Sequence, residues 1–201
     1  MKKAIFMPLV VLVFALKPVS ASGEAGNFSK GSMYVTAQAG VNSYVATADR
    51  FAKPFDSMPF PLGASFEYSL TNNLGIGGTV MFDKWHDYLG IFGGKWTFRL
   101  FKPSLDISYH FRAEKIAGLD FVVGANLGYS ILSVGNDLGN HYEGGLKNEP
   151  HLAPFLGTDL YFWENLPGFL GRLMVTLKAS WSVTGNFSGV FGSVGITYRI
   201  K

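Results

Sequence analysis

Asp106, Ser108 and His110 stand two apart in the chain, so on an extended strand they project from one face. An acid, a hydroxyl and an imidazole are the parts of a nucleophilic acyl-transfer site, where the base takes the hydroxyl proton and the acid orients the base. Neighbours on one face of one strand point in parallel, however, and that is poor geometry for a proton relay. Three further histidines, His86, His141 and His151, fall near Asp87, Asp137, Glu143 and Glu149. A metal site needs three or four convergent ligands, and no spacing here imposes convergence. The expectation is no catalytic residue, no metal and no cofactor.

The segments that carry these residues repeat with a period of two. Over 119–133, Leu119, Phe121, Val123, Ala125, Leu127, Tyr129 and Ile131 share one face, and Asp120, Gly124, Asn126, Gly128 and Ser130 lie on the other. Alternation means a strand. At roughly 3.3 Å per residue this one is long enough to cross a bilayer even when tilted, whereas strands of soluble proteins usually stop at about five or six residues. Similar alternation runs over 33–42, 62–70, 74–83, 96–111, 151–162, 172–181 and 190–200. In 96–111 its phase changes: Trp96, Phe98 and Leu100 are even, while Leu105, Ile107, Tyr109 and Phe111 are odd. Lys102-Pro103 lies between, and either a bulge or a turn there accounts for the change.

The links alternate in length. Those at 43–60, 84–94 and 134–150 are long, and those at 71–73, 113–118 and 164–168 are short; the last link on the long side, 184–188, is brief. Eight strands with long loops on one side and short turns on the other predict an all-β fold, an antiparallel up-and-down transmembrane β-barrel.

Lys2, Lys3, the apolar stretch 4–16 and Val19-Ser20-Ala21 predict a signal peptide over 1–21. A Gly, Ser and Asn-rich leader, expected to be flexible, follows over 22–32, and the barrel domain occupies 33–201. There is no cysteine, and the formal net charge is only +3, with basic residues scattered singly. Nucleic-acid binding is therefore not expected.

A membrane barrel turns its bulky face outward and fills a narrow interior with small and polar side chains. That assigns a polar lumen network to Glu67, Asp83, Lys95, Arg99, Asp106, His110, Asp120, Asn126, Asp159, Arg172, Lys178 and Arg199. Balanced signs there favour mutual pairing and a plugged barrel over a selective pore. Phe82, Tyr109, Phe111, Phe162, Trp181 and Tyr198 fall near strand ends, where aromatic girdles meet the headgroups. The 43–60 loop carries Phe51, Phe55, Met58 and Phe60 among prolines, and serves as a partner surface, a leaflet contact or a lid.

The stretches 63–78 (GASFEYSLTNNLGIGG), 108–111 (SYHF) and 123–129 (VGANLGY) resemble the small bacterial outer-membrane β-barrel family. That family comprises the OmpX-like, OmpW-like and OmpA-barrel-like proteins, sometimes labelled the porin family. The resemblance covers nearly all of the chain after the leader and contains no catalytic signature. It implies an outer-membrane location, both termini in the periplasm, and contact with outer-membrane lipid and the barrel-assembly machinery. It further implies a role in envelope structure or in surface interaction through the long loops, with a narrow channel or an OmpW-like transporter for small solutes as the alternative. Lipid A deacylases are also eight-stranded barrels, but with His-x-Ser where this chain has Ser108 before His110. The family usually ends on an aromatic residue used in assembly, whereas this chain ends Tyr198-Arg199-Ile200-Lys201.

Overall fold

A computed structural model of the chain describes residues 28–46, 52–53, 61–88, 95–112, 118–136, 148–162, 166–182 and 187–200. Nine strands appear among them: β1 Met33–Ala46, β2 Ala52–Lys53, β3 Leu62–Ser69, β4 Leu74–Tyr88, β5 Lys95–Arg112, β6 Leu119–Asn136, β7 Glu149–Leu160, β8 Leu173–Ser182 and β9 Phe187–Arg199. β2 is a two-residue piece paired to the end of β1. The other eight pair in chain order, all antiparallel, and β1 pairs with β9 to close the barrel. No sheet edge is left between first and last strands, so every barrel strand has two neighbours.

The register sets the geometry. Met33 pairs with Tyr68, then Ile76, Ile107, Ala125 and Pro154 follow in turn. Continuing the Phe155–Ser180 register by one step sets Trp181 opposite Pro154, and the path returns through Val190 to Ser43. One circuit thus climbs ten residues along β1. For eight strands that stagger corresponds to a tilt of about 40°, and the interior is only as wide as the side chains that fill it.

The short turns are held by local chemistry. The Thr71 hydroxyl accepts from the backbone N–H of Leu74 at 2.9 Å and of Asn73 at 3.2 Å, an alternative to the positive φ that asparagine tolerates. Gly118 adopts φ +76° and its carbonyl accepts from the Tyr161 N–H at 2.7 Å. A single 3-10 turn, Leu170–Arg172, leads into β8.

Two expectations are corrected. Lys102-Pro103 is neither a bulge nor a turn, because β5 runs unbroken for 18 residues. The β4 ladder passes through Pro103 opposite Val80, and only the β6 ladder skips Lys102 and Pro103. A proline is tolerated where its missing N–H costs one ladder bond and the register on both sides is kept. The phase of side chains is therefore constant, and Phe98 and Leu100 point inward, each 1% exposed. The leader is likewise not free over its last part. Residues 28–32 lie against the short-turn end: Gly31 N–H donates to Ser69 O, Ser69 N–H donates to Ser32 O, both at 2.9 Å, and Phe28 is 5% exposed. Residues 22–27 lie outside the described residues, as do residues 1–21, where a signal peptide is expected, and the aromatic residues of the 43–60 loop.

The interior has three levels. At the long-loop end Trp85, Phe98, Leu100 and Val134 cluster with Leu132 beside them, the Trp85 and Phe98 rings stacked at 5.1 Å. At the short-turn end Phe28, Tyr34, Tyr161 and Met174 form a second cluster. Polar side chains occupy the space between.

Candidate functional site

The middle level is a belt of hydrogen bonds, joined at one point by a longer Asp159–His110 ion-pair contact, laid across the barrel. Thr36 Oγ1 meets Thr197 Oγ1 at 2.7 Å, Thr197 meets Thr176 Oγ1 at 2.8 Å, and Thr176 donates to Asp159 Oδ1 at 2.7 Å. Asp159 Oδ2 lies 3.6 Å from His110 Nδ1, and His110 Nε2 lies 2.9 Å from Glu67 Oε1. Ser108 Oγ donates to the same Glu67 oxygen. The belt therefore joins β1, β9, β8, β7, β5 and β3. Glycine makes room for it: a Cβ on Gly75 would overlap both the Glu67 carboxylate and the Ser108 hydroxyl. Phe28 closes the belt from below, its ring stacked on His110 at 3.6 Å between centroids and on Tyr34 at 5.2 Å.

Beside the belt, Lys178 Nζ sits 3.6 Å over the Phe155 ring, a cation-π contact, and within electrostatic reach of Asp106, Glu67 and Asp159. Asp106 accepts from Thr79 and, at 3.1 Å, from Ser104. Nearer the long loops, Lys102 faces Asp83 electrostatically, and Ser130 meets His151 Nδ1 at 3.3 Å. Two small cavities adjoin these groups among the described residues. One cavity of about 60 Å³ adjoins Glu67, His110, Asp159 and Lys178, and another of about 30 Å³ adjoins Lys102, Asn126 and His151. They share no lining residue, and each has room for only a few waters.

Of the residues assigned to the lumen, Glu67, Asp83, Asp106, His110, Asp120, Asn126, Asp159 and Lys178 point inward, and Arg199 lies on the inward side of β9 near the short-turn mouth, opposite Tyr34. Two assignments are corrected. Arg99 is on the outer wall, exposed, because the phase of β5 does not change at Pro103. Arg172 is exposed in the 3-10 turn, where its guanidinium donates to Ile200 O at 3.2 Å. The side chain of Lys95 lies outside the described residues. Lys102 and His151 are inward members that the sequence reading left out, the first for the reason that misplaced Arg99. The threonines were also missed, since a hydroxyl in a strand carries no charge signature. The six girdle residues Phe82, Tyr109, Phe111, Phe162, Trp181 and Tyr198 all stand on the outer surface, with Tyr109 against Phe111 and Phe169 against Tyr198.

The three residues that could have formed an acyl-transfer site do not relay to one another. Ser108 donates its hydrogen bond to Glu67 and not to His110, and Asp106 accepts from Thr79 and Ser104. Of the histidines near the loops, His86 bonds Thr97 outside the barrel at 3.0 Å while His151 turns inside; His141 lies outside the described residues.

Solved structures share this fold. Ail, the attachment invasion locus protein of Yersinia pestis, aligns at TM-score 0.58 and 12% identity over 85% of this chain and 99% of its own. Neisserial surface protein A aligns at 0.58 and 15% identity over 84% and 99%. The N-terminal β-barrel domain of Pseudomonas aeruginosa OprF aligns at 0.53 and 17% identity over 85% and 98%. No family model matches the chain, and no curated protein matches it. The chain has the fold of the small eight-stranded outer-membrane barrels.

Proposed function

We propose that this chain is a non-enzymatic barrel of the bacterial outer membrane, exported through its signal peptide, with a closed interior and a role in envelope structure or surface interaction through its long loops. The observation that carries the closed interior is the belt lying between two apolar clusters, with two small cavities beside it that share no lining residue among the described residues. The membrane location is supported by the outer wall. Leu62, Leu105, Leu127 and Ile196 are each at least 60% exposed, and an apolar surface that continuous needs a hydrocarbon solvent. Lipid and the assembly machinery are accordingly the first partners. The engagement of both Ser108 and His110 by one carboxylate supports the non-enzymatic reading. Ail, with the same fold, was crystallised with the heparin analogue sucrose octasulfate, a precedent for a surface role.

Planar-bilayer recording of the refolded protein tests the closed interior. Silence is expected, and steady unitary conductance would replace this reading with the narrow channel. Migration that shifts on heating in a detergent gel tests the membrane barrel itself.

A further inference from the structure

On the outer wall, β4 and β5 form a ladder of facing pairs. From the short-turn end it reads Leu74 with Tyr109, Ile76 with Ile107, Gly78 with Leu105, Val80 with Pro103 and Phe82 with Phe101. The next outward pair is Lys84 with Arg99, the first half-buried and the second exposed. Two cations opposite one another on adjacent strands repel, with Cβ atoms about 5 Å apart. Neither side chain has an ion pair in the described part of the structure. The wall behind them offers no relief, because Trp85, Phe98 and Leu100 fill the interior at that level.

From the Leu74–Tyr109 pair to the Lys84–Arg99 pair is ten residues, about 25 Å at a rise of ~3.3 Å and a tilt of ~40°. That equals the height of the apolar band of an outer-membrane barrel. The two cations therefore stand where hydrocarbon gives way to headgroups, just past the aromatic Phe82–Phe101 pair. Beside them Arg99 faces the exposed Ser133 of β6.

We propose that Lys84 and Arg99 bind the phosphate of a lipid headgroup in the leaflet on the long-loop side. The guanidinium offers a planar fork to two phosphate oxygens, and the ammonium offers a point charge to a third. The bound anion converts the repulsive pair into an attractive triad. The inference rests on the reading that this wall faces lipid.

Native mass spectrometry of the full chain tests it, in micelles doped with diphosphorylated lipid A or with the same lipid dephosphorylated. Retention of the phosphorylated form is expected to be about tenfold greater. Lys84→Gln with Arg99→Gln should abolish that preference, while Lys84→Arg with Arg99→Lys keeps most of it. Lys30→Gln with Arg172→Gln, at the opposite mouth, should leave it unchanged. Each variant is first shown to be folded by its heat-shifted migration, and Arg99→Gln alone serves if the double variant does not fold. Undiminished preference in the folded glutamine variant overturns the site. Displacement of the lipid by millimolar inorganic phosphate overturns the commitment to a lipid-borne anion. A wild-type chain that stays soluble without detergent would instead overturn the membrane reading.

Discussion

Along β5 the two halves of one strand obey opposite rules. From Ser104 to His110 the inward side chains are hydroxyl, carboxylate and imidazole, and the outward ones are Leu105, Ile107 and Tyr109. From Phe98 to Leu100 the inward side chains are apolar and the outward one is Arg99. β4 and β6 repeat the change, with Trp85, Leu132 and Val134 inside and Lys84, His86 and Ser133 outside. These are the three longest strands, of 15, 18 and 18 residues. The backbone register is unbroken through the inversion, so what changes is the solvent. The lower part carries the pattern of a protein in hydrocarbon, and the upper part carries the pattern of a protein in water, apolar within and charged without.

That contrast predicts unequal costs for changes on one scaffold. Glu67→Ala should be the most damaging, because it leaves His110 and Ser108 without their shared acceptor; about 3–5 kcal/mol is expected, as for a broken buried pair, read from the urea midpoint of the folded protein in vesicles. A shift below a quarter of that would mean the belt is not an energetic unit. Phe98→Ala removes the centre of the upper cluster and should cost about 3–4 kcal/mol in the same measurement; a neutral result would show that the upper interior is not a packed core. Leu105→Arg places on the outer wall, six residues from Arg99, the same charge that Arg99 carries. A loss of about 2–4 kcal/mol is expected there, and tolerance of that arginine would erase the boundary between the halves. Thr197→Val cuts the belt between Thr36 and Thr176 and should lose about 1–2 kcal/mol. Arg99→Gln in uncharged detergent should change stability by less than about 0.5 kcal/mol, in the stabilising direction, since it relieves repulsion with Lys84.

Much of this was legible in the residues. Alternation located all eight barrel strands, and the outward aromatic residues followed from it. The failures share a cause. Reading Lys102-Pro103 as a break assumed that one face of a strand meets one solvent along its whole length, so Arg99 went inside and Lys102 was left out. A proline whose N–H is missing from only one ladder leaves no further trace in the sequence. Phe28 was invisible for another reason. A single aromatic residue among Gly, Ser and Asn has no periodicity, and its partners Tyr34, His110, Tyr161 and Met174 are brought together only by closure. Threonines 36, 176 and 197 could have been found by asking which uncharged inward hydroxyls share a level once the register is known.

The seat of Phe28 carries a consequence for the order of assembly. Its ring lies against Tyr34 of β1 and His110 of β5 and clusters with Met174 of β8, so its pocket does not exist until β8, the seventh of the eight barrel strands, is in place. The earliest described residue of the chain must then be among the last to find its position. A probe at residue 28 that reports burial would act as a clock, ticking only once β8 has joined the strands before it.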